Sequence, residues 1–202
     1  MNTTGDANRS VRRTKGKLKE ALIQLMLEKQ VKDITVREIA ELADVSRGTF
    51  YLYYRDVYDM VEKLQNLLLA ELTEIMDRID PRATDAAYEA VLSTLQLVKD
   101  ESALFRALLG PNGSHEFINS MSVILDKPLS DSIRPLATGE STVRLVSGFF
   151  IKGFIGLIEE WLLDGLRETP ENISIIVSNL LTNAQHYVLQ NRRGELGMTL
   201  SV

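Results

Sequence analysis

Four residues in fixed register, Ala40, Asp44, Val45 and Phe50, constrain this chain more than any other part of it. They lie in the stretch ITVREIAELADVSRGTFYLYYRD, residues 34–56. Two short helices that cross closely need a small residue at the crossing, and Ala40 supplies it. Four places on, the turn between them needs a residue that tolerates positive φ. Glycine is usual there, and the short polar side chain of Asp44 is an acceptable substitute. Val45 is then the apolar turn residue and Phe50 the buried anchor on the second helix. The four together predict a helix-turn-helix unit. Local chemistry agrees. Thr35 is placed to cap the first helix, and Glu38 three positions on completes a capping box. Ser46 is placed to cap the second helix, and Asp56 to cap a long helix running from Val57 to about Ile79, stopped at Asp80-Pro81.

The second helix is crowded. Ser46 to Asp56 holds three tyrosines, a phenylalanine and two arginines. Phe50 and Tyr54 are four apart and can pack inward together. Arg47, Thr49, Tyr51 and Tyr53 cannot all share that side. Those left outside bring a guanidinium that can pair with guanine, and hydroxyls that can bond phosphate. The helix N-terminus adds free amides and a positive dipole end. The formal net charge of −5 argues against a polyanion partner when read as an average. Its distribution reverses the argument. Arg9, Arg12, Arg13, Lys15, Lys17 and Lys19 stand against Asp6 alone in residues 1–19, while residues 61–202 carry 12 basic and 19 acidic side chains. A chain basic at one end and acidic over the rest points to a polyanion at the basic end.

Helical periodicity runs through nearly everything else. Val11, Leu18, Ala21, Leu22, Leu25 and Met26 predict an amphipathic helix over residues 10–29, and KDIT breaks it. Further helices are expected at about Thr84 to Lys99, Ser102 to Leu109, His115 to Leu125, Glu140 to Gly165 and Pro170 to Gln190. Breakers separate them at Gly110-Pro111-Asn112-Gly113, Asp126-Lys127-Pro128, Arg134-Pro135 and Gly165 to Pro170. Thr169 followed by Pro170 is a cap with a favourable first-turn residue. The first eight residues and the tail after Arg193 are expected to fray. No strand alternation is present, so the fold class is all-α.

Composition removes several function classes. With no cysteine there is no disulfide, thiolate metal site or thiol nucleophile. The two histidines, His115 and His186, are far apart, and both are expected to be surface or satisfied polar residues. No phosphate-binding glycine loop occurs, and Glu159-Glu160 diverge by about 100° on a helix, which makes them a poor acid–base pair. An enzyme is not expected, and neither is a cofactor or metal. The most apolar run, Val143 to Leu163, is interrupted by Lys152, Glu159 and Glu160 and by three glycines, so no membrane span is expected. Without a signal-peptide run at the N-terminus, the expected location is cytoplasmic.

The helix-turn-helix stretch, preceded by a basic amphipathic helix and followed by a long one, resembles the N-terminal domain of TetR/AcrR-type transcriptional regulators over roughly residues 10–60. The resemblance implies a three-helix DNA-binding head, residues 1–56, on a larger helical body, residues 57–202. The body would form a homodimer through its last two long helices and take a small-molecule effector. It implies double-stranded operator DNA with an inverted repeat as partner. By position, Thr35, Arg37, Ser46, Arg47, Thr49, Tyr51 and Tyr53 fall on family DNA-contact sites, and Gly48 falls where a small residue lets the helix approach the groove. Two departures stand out. Asp44 replaces the usual glycine, and Val57 replaces a phosphate-contacting lysine.

In the body, RLVSGFFIKGFIGLIEEWLLDG is apolar on more than one side, and Gly148, Gly153 and Gly156 permit close helix approach. PENISIIVSNLLTNAQHYVL carries Ile173, Ile176, Val177, Leu180, Leu181 and Ala184 on one stripe. The family fold implies an effector cavity walled by Tyr88, Phe105, Phe117, Met121, Phe149 and Trp161. The expected function is a repressor relieved by an effector. A second reading, an activator or protein-interaction module with reduced DNA binding, draws only on Asp44 and Val57.

Overall fold

The computed structural model describes residues 3–80, 83–137 and 139–192. Of the segments expected to fray, residues 1–2 and the tail after Arg193 lie outside the described residues, while residues 3–8 are helical and open α1. The described chain is helical, with no strand among those residues: α1 (Thr3–Glu28), α2 (Val36–Leu42), α3 (Arg47–Tyr51), α4 (Val57–Arg78), α5 (Ala86–Asp100), α6 (Ser102–Leu109), α7 (His115–Ile133), α8 (Glu140–Leu163) and α9 (Pro170–Arg192). A single 3₁₀ turn at Val31–Asp33 sits where KDIT was expected to break the first helix.

Two compact units form. The first comprises residues 1–68 and 103–117, and the second 69–102 and 118–202. In the first, α1 packs on α2 and α2 on α3. Leu18, Ala21, Leu22 and Met26 of α1 are buried, as are Ile39, Ala40 and Ala43 around α2 and Phe50 of α3. These are the apolar positions of each helix period, so burial follows the sequence pattern. The start of α4 belongs to the same unit, with Val57, Met60, Val61, Leu64 and Leu68 buried. Phe105 of α6 and Phe117 of α7 meet edge-on, ring centroids 5.9 Å apart, an arrangement that adds to their area burial.

In the second unit α5 packs along α9. Val91, Leu95 and Val98 are buried on α5, and Ile173, Val177, Leu181 and Val188 on α9. Thr169 caps α9, accepting a bond from the Asn172 amide at 3.2 Å. Two expectations are corrected here. The break at Asp126-Lys127-Pro128 is absent, because α7 runs through to Ile133 with Pro128 inside it. Proline costs a backbone bond at that turn, but Leu125 and Ile133 are buried on either side of it and hold the helix in place. The glycines of α8 do not bring another helix close within the chain. A Cβ at Gly148, Gly153 or Gly156 would meet nothing within 4 Å. By length and composition α8 is also long and apolar enough to cross a membrane, although no such stretch was expected. Core helices pass the same test, and Val143, Ser147, Ile151, Ile155, Ile158, Trp161 and Leu162 of α8 are buried.

Candidate nucleic-acid interface

The reading unit is built by three local devices. Thr35 accepts the Glu38 amide at 3.2 Å, and the Glu38 carboxylate accepts the Thr35 amide at 2.9 Å, closing the capping box of α2. Lys29, just past the end of α1, donates to the same carboxylate at 2.6 Å. That bond first, and those from Thr35 next, hold Glu38 down at a pKa of about 2. The turn follows. Asp44 adopts φ 53°, the left-handed conformation expected of it, and Lys17 of α1 lies 3.7 Å from its carboxylate. Val45 donates to the Ala40 carbonyl at 3.0 Å, which folds the turn back on α2. Ser46 then caps α3, accepting the Thr49 amide at 3.0 Å.

With those ends fixed, α3 sorts its side chains. Phe50 is fully buried, and Tyr54 stacks 5.5 Å from it at 7% exposure. Burial first, and the Asp59 charge second, raise the Tyr54 phenol above its usual pKa. Arg47, Gly48 and Ser46 are exposed, and Tyr51 is 58% exposed. Thr49 is half-buried, its hydroxyl 2.9 Å from that of Ser46. The helix is shorter than expected, ending at Tyr51 instead of near Tyr54, so Tyr53 stands just beyond it. Tyr53 is half-buried, with the Lys15 ammonium 5.6 Å from its ring. On α2, Thr35 and Arg37 are exposed, and Arg37 is paired with Glu41 at 2.7 Å, which raises its pKa. At Gly48 a Cβ would meet only the Ser46 hydroxyl, at 3.6 Å. Nothing inside the chain requires glycine there.

One group of residues escaped sequence reasoning. Asp59 is 6% exposed, the one charged residue among the buried side chains described. Its carboxylate accepts from Lys63 Nζ at 2.8 Å, the Arg55 amide at 3.0 Å and Arg55 Nε at 3.1 Å. These bonds, that of Lys63 foremost, hold its pKa at about 2. The spacing of Arg55, Asp59 and Lys63 at successive i,i+4 steps was the available signal. It reads in sequence as an ordinary solvated face.

The effector-wall candidates are divided between the two units. Phe105 and Phe117 are buried in the first unit. In the second, Met121 is fully buried, Tyr88 is half-buried, and Trp161 is 5% exposed with its indole N–H donating to the Glu168 carbonyl at 2.9 Å. Phe149 is 74% exposed on α8. A surface cleft in the second unit is lined by Ile75, Arg78, Ile79, Ser93, Gln96, Leu97 and Asp100. Among the described residues no group of acidic or histidine side chains could hold a metal.

A capped helix-turn-helix followed by an all-helical body defines the class of helix-turn-helix transcriptional regulators. Comparison with known proteins narrows it. Residues 19–64 match the family model for bacterial regulatory proteins of the tetR family, and residues 85–183 match a model for a transcriptional regulator C-terminal region of TetR type. The chain belongs to the TetR family. It is 27% identical over 179 residues to YxbF, an uncharacterized HTH-type transcriptional regulator of Bacillus subtilis (strain 168). That match covers 85% of this chain and 46% of YxbF, so the chain spans about half the length of this curated relative. Among solved structures, NalD, the secondary repressor of the MexAB-OprM multidrug efflux pump in Pseudomonas aeruginosa, superposes with a TM-score of 0.68 at 17% identity, over 87% of this chain and 96% of its own. FadR from Bacillus subtilis in complex with stearoyl-CoA gives 0.63 at 21% identity, over 82% and 96%. At these identities the likeness is one of fold.

Proposed function

We propose that this chain is a homodimeric, operator-binding transcriptional repressor released by a small-molecule effector. The observation that carries the reading is the sorting of α3: Phe50 is wholly buried while Arg47 and Gly48, beside it, are exposed. Arg47 is the base-reading residue. Thr35, Arg37, Ser46, Thr49, Tyr51 and Tyr53 bond the phosphate backbone, and Gly48 leaves room for the groove wall. The functional division falls after Asp56, although the compact unit runs on into α4. Dimerisation through α8 and α9 is supported by the apolar residues exposed on both: Leu145, Phe149 and Leu163 on α8, and Ile176, Leu180 and Tyr187 on α9. The open space at Gly148, Gly153 and Gly156 is room for a second chain's helices.

A two-fold dimer reads two half-sites one helical turn apart. An effector in the body, with Tyr88, Met121 and Trp161 as candidate contacts, favours a dimer whose heads no longer match that spacing. NalD, a repressor, and FadR, solved in complex with stearoyl-CoA, give precedents for repression and for a ligand in this fold. A cytoplasmic protein fits this role. The test is protection of an inverted repeat upstream of the chain's own gene by the purified protein, at stated salt. Protection that fades steeply as salt rises is expected. Binding to no duplex at any salt would sink the reading.

A further inference from the structure

Val57, which takes the place of the family's phosphate-contacting lysine, is buried at 6% exposure and cannot face a phosphate. We propose that Arg55, held in place by the buried Asp59 carboxylate and flanked by Lys63, is the phosphate contact of this chain in its stead, with Asp59 as the positioning residue. The proposal rests on the DNA-binding reading and adds a site to it.

The geometry is specific. Nε and one terminal nitrogen of Arg55 both approach Asp59 Oδ1, at 3.1 and 3.0 Å. The Arg55 amide and Lys63 Nζ take Oδ2 at 3.0 and 2.8 Å. The carboxylate is therefore saturated from both sides, and the guanidinium is fixed in plane. Of the five N–H groups of an arginine, that of Nε is bonded to Asp59 and one terminal nitrogen is ion-paired with it. The side chain is 80% exposed, which leaves the rest of the guanidinium accessible. A guanidinium pinned on one edge and open on the other is pre-set for two-point contact with phosphate oxygens, with little rotamer freedom left to lose. Lys63 ties the cluster to the reading unit. It donates to the Tyr53 carbonyl at 3.1 Å and lies 5.4 Å from the Tyr54 ring. Tyr53 is a proposed contact, and Arg55 follows it two residues along the chain. Two cations around one carboxylate leave a charge of +1 where Val57 supplies none.

The test is binding to a mixed-sequence duplex long enough for two half-sites, followed across a salt series by fluorescence anisotropy. Arg55→Gln changes an exposed side chain and leaves the core intact. It is expected to weaken binding roughly tenfold and to flatten the slope of log affinity against log salt by about 0.9 per lost contact, hence by about 1.8 for a dimer. Arg55→Lys keeps the charge and loses the planar edge, so affinity falls while the slope is retained. Asp59→Asn separates positioning from charge. Removing a negative charge beside DNA should tighten binding if charge alone acts, whereas loss of positioning weakens it. Thermal unfolding of Asp59→Asn verifies that the variant is folded at the assay temperature; if it is not, the two Arg55 variants decide. Wild-type affinity and slope in Arg55→Gln, with the wild type binding normally, would overturn this proposal and leave the DNA-binding reading standing. A wild type that binds no duplex would overturn both.

Discussion

Arg47 and Phe50 are three residues apart and end in opposite surroundings, one exposed and the other wholly buried. Their substitutions should separate accordingly. Phe50→Ala removes an aromatic ring from the crossing of α2 and α3 and should cost about 3–5 kcal/mol of stability, read by denaturant unfolding. Arg47→Ala should leave stability within about 0.5 kcal/mol of wild type and relax base preference at one operator position by about 1–3 kcal/mol, read by competition between matched and mismatched duplexes. Asp59 gives a prediction in pH. Its folded pKa of about 2 lies below the ordinary 3.8, so the stability it contributes is fully present above the ordinary value. That contribution is lost as pH falls from about 5 toward 2. Glu38, also held at about 2, acts in the same window. Asp59→Asn and Glu38→Gln should each flatten the acid limb of a stability–pH curve. A limb of unchanged steepness in the double variant would show that other carboxylates set it. Neither Asp59 nor Lys63 stood out in the sequence. Charges four apart on a helix are usually solvated, whereas here Arg55 and Lys63 close on the Asp59 carboxylate and it is left 6% exposed.

At the scale of elements the sequence was most legible where a side chain acts on its own backbone. The capping box of Thr35 and Glu38, the caps by Ser46, Asp56 and Thr169, and the left-handed Asp44 all form, because each depends on atoms a few residues apart. Thr35→Ala should therefore cost about 1 kcal/mol, and Thr35→Ser a few tenths at most, both measurable by thermal melting. Legibility failed where a distant contact decides. Pro128 reads as a stop, yet burial of Leu125 and Ile133 carries α7 past it. The stripe on α9 read as a single face, yet it divides. Ile173, Val177 and Leu181 turn inward in the unit where α5 packs on α9, while Ile176 and Leu180 stay exposed. A periodicity shows that a face is apolar without showing which part meets its own chain. The effector-wall residues were named from a family likeness alone, with no pattern in the residues themselves.

At the scale of the whole molecule, the proposed dimer rests on the apolar residues exposed on α8 and α9. Leu145, Phe149 and Leu163 are each at least two-thirds exposed, and their spacing keeps them within one stripe of α8. Ile176, Leu180 and Tyr187 form a stripe on α9, each more than half exposed. Large apolar side chains left exposed along two helices of a folded chain suit an association site, and a two-fold contact uses the same face on both copies. The double variant Phe149→Glu with Leu180→Glu changes only exposed positions, so helix content by circular dichroism should stay at the wild-type level. Sedimentation should shift from dimer to monomer. DNA binding should then collapse even though no residue of the head has changed, because each head must find its half-site alone. Losing the linkage between two half-site contacts costs on the order of 10²–10⁴-fold in affinity. A monomer that still held the inverted repeat at wild-type affinity would separate dimerisation from operator binding, and a variant that stayed dimeric would move the interface off these two helices.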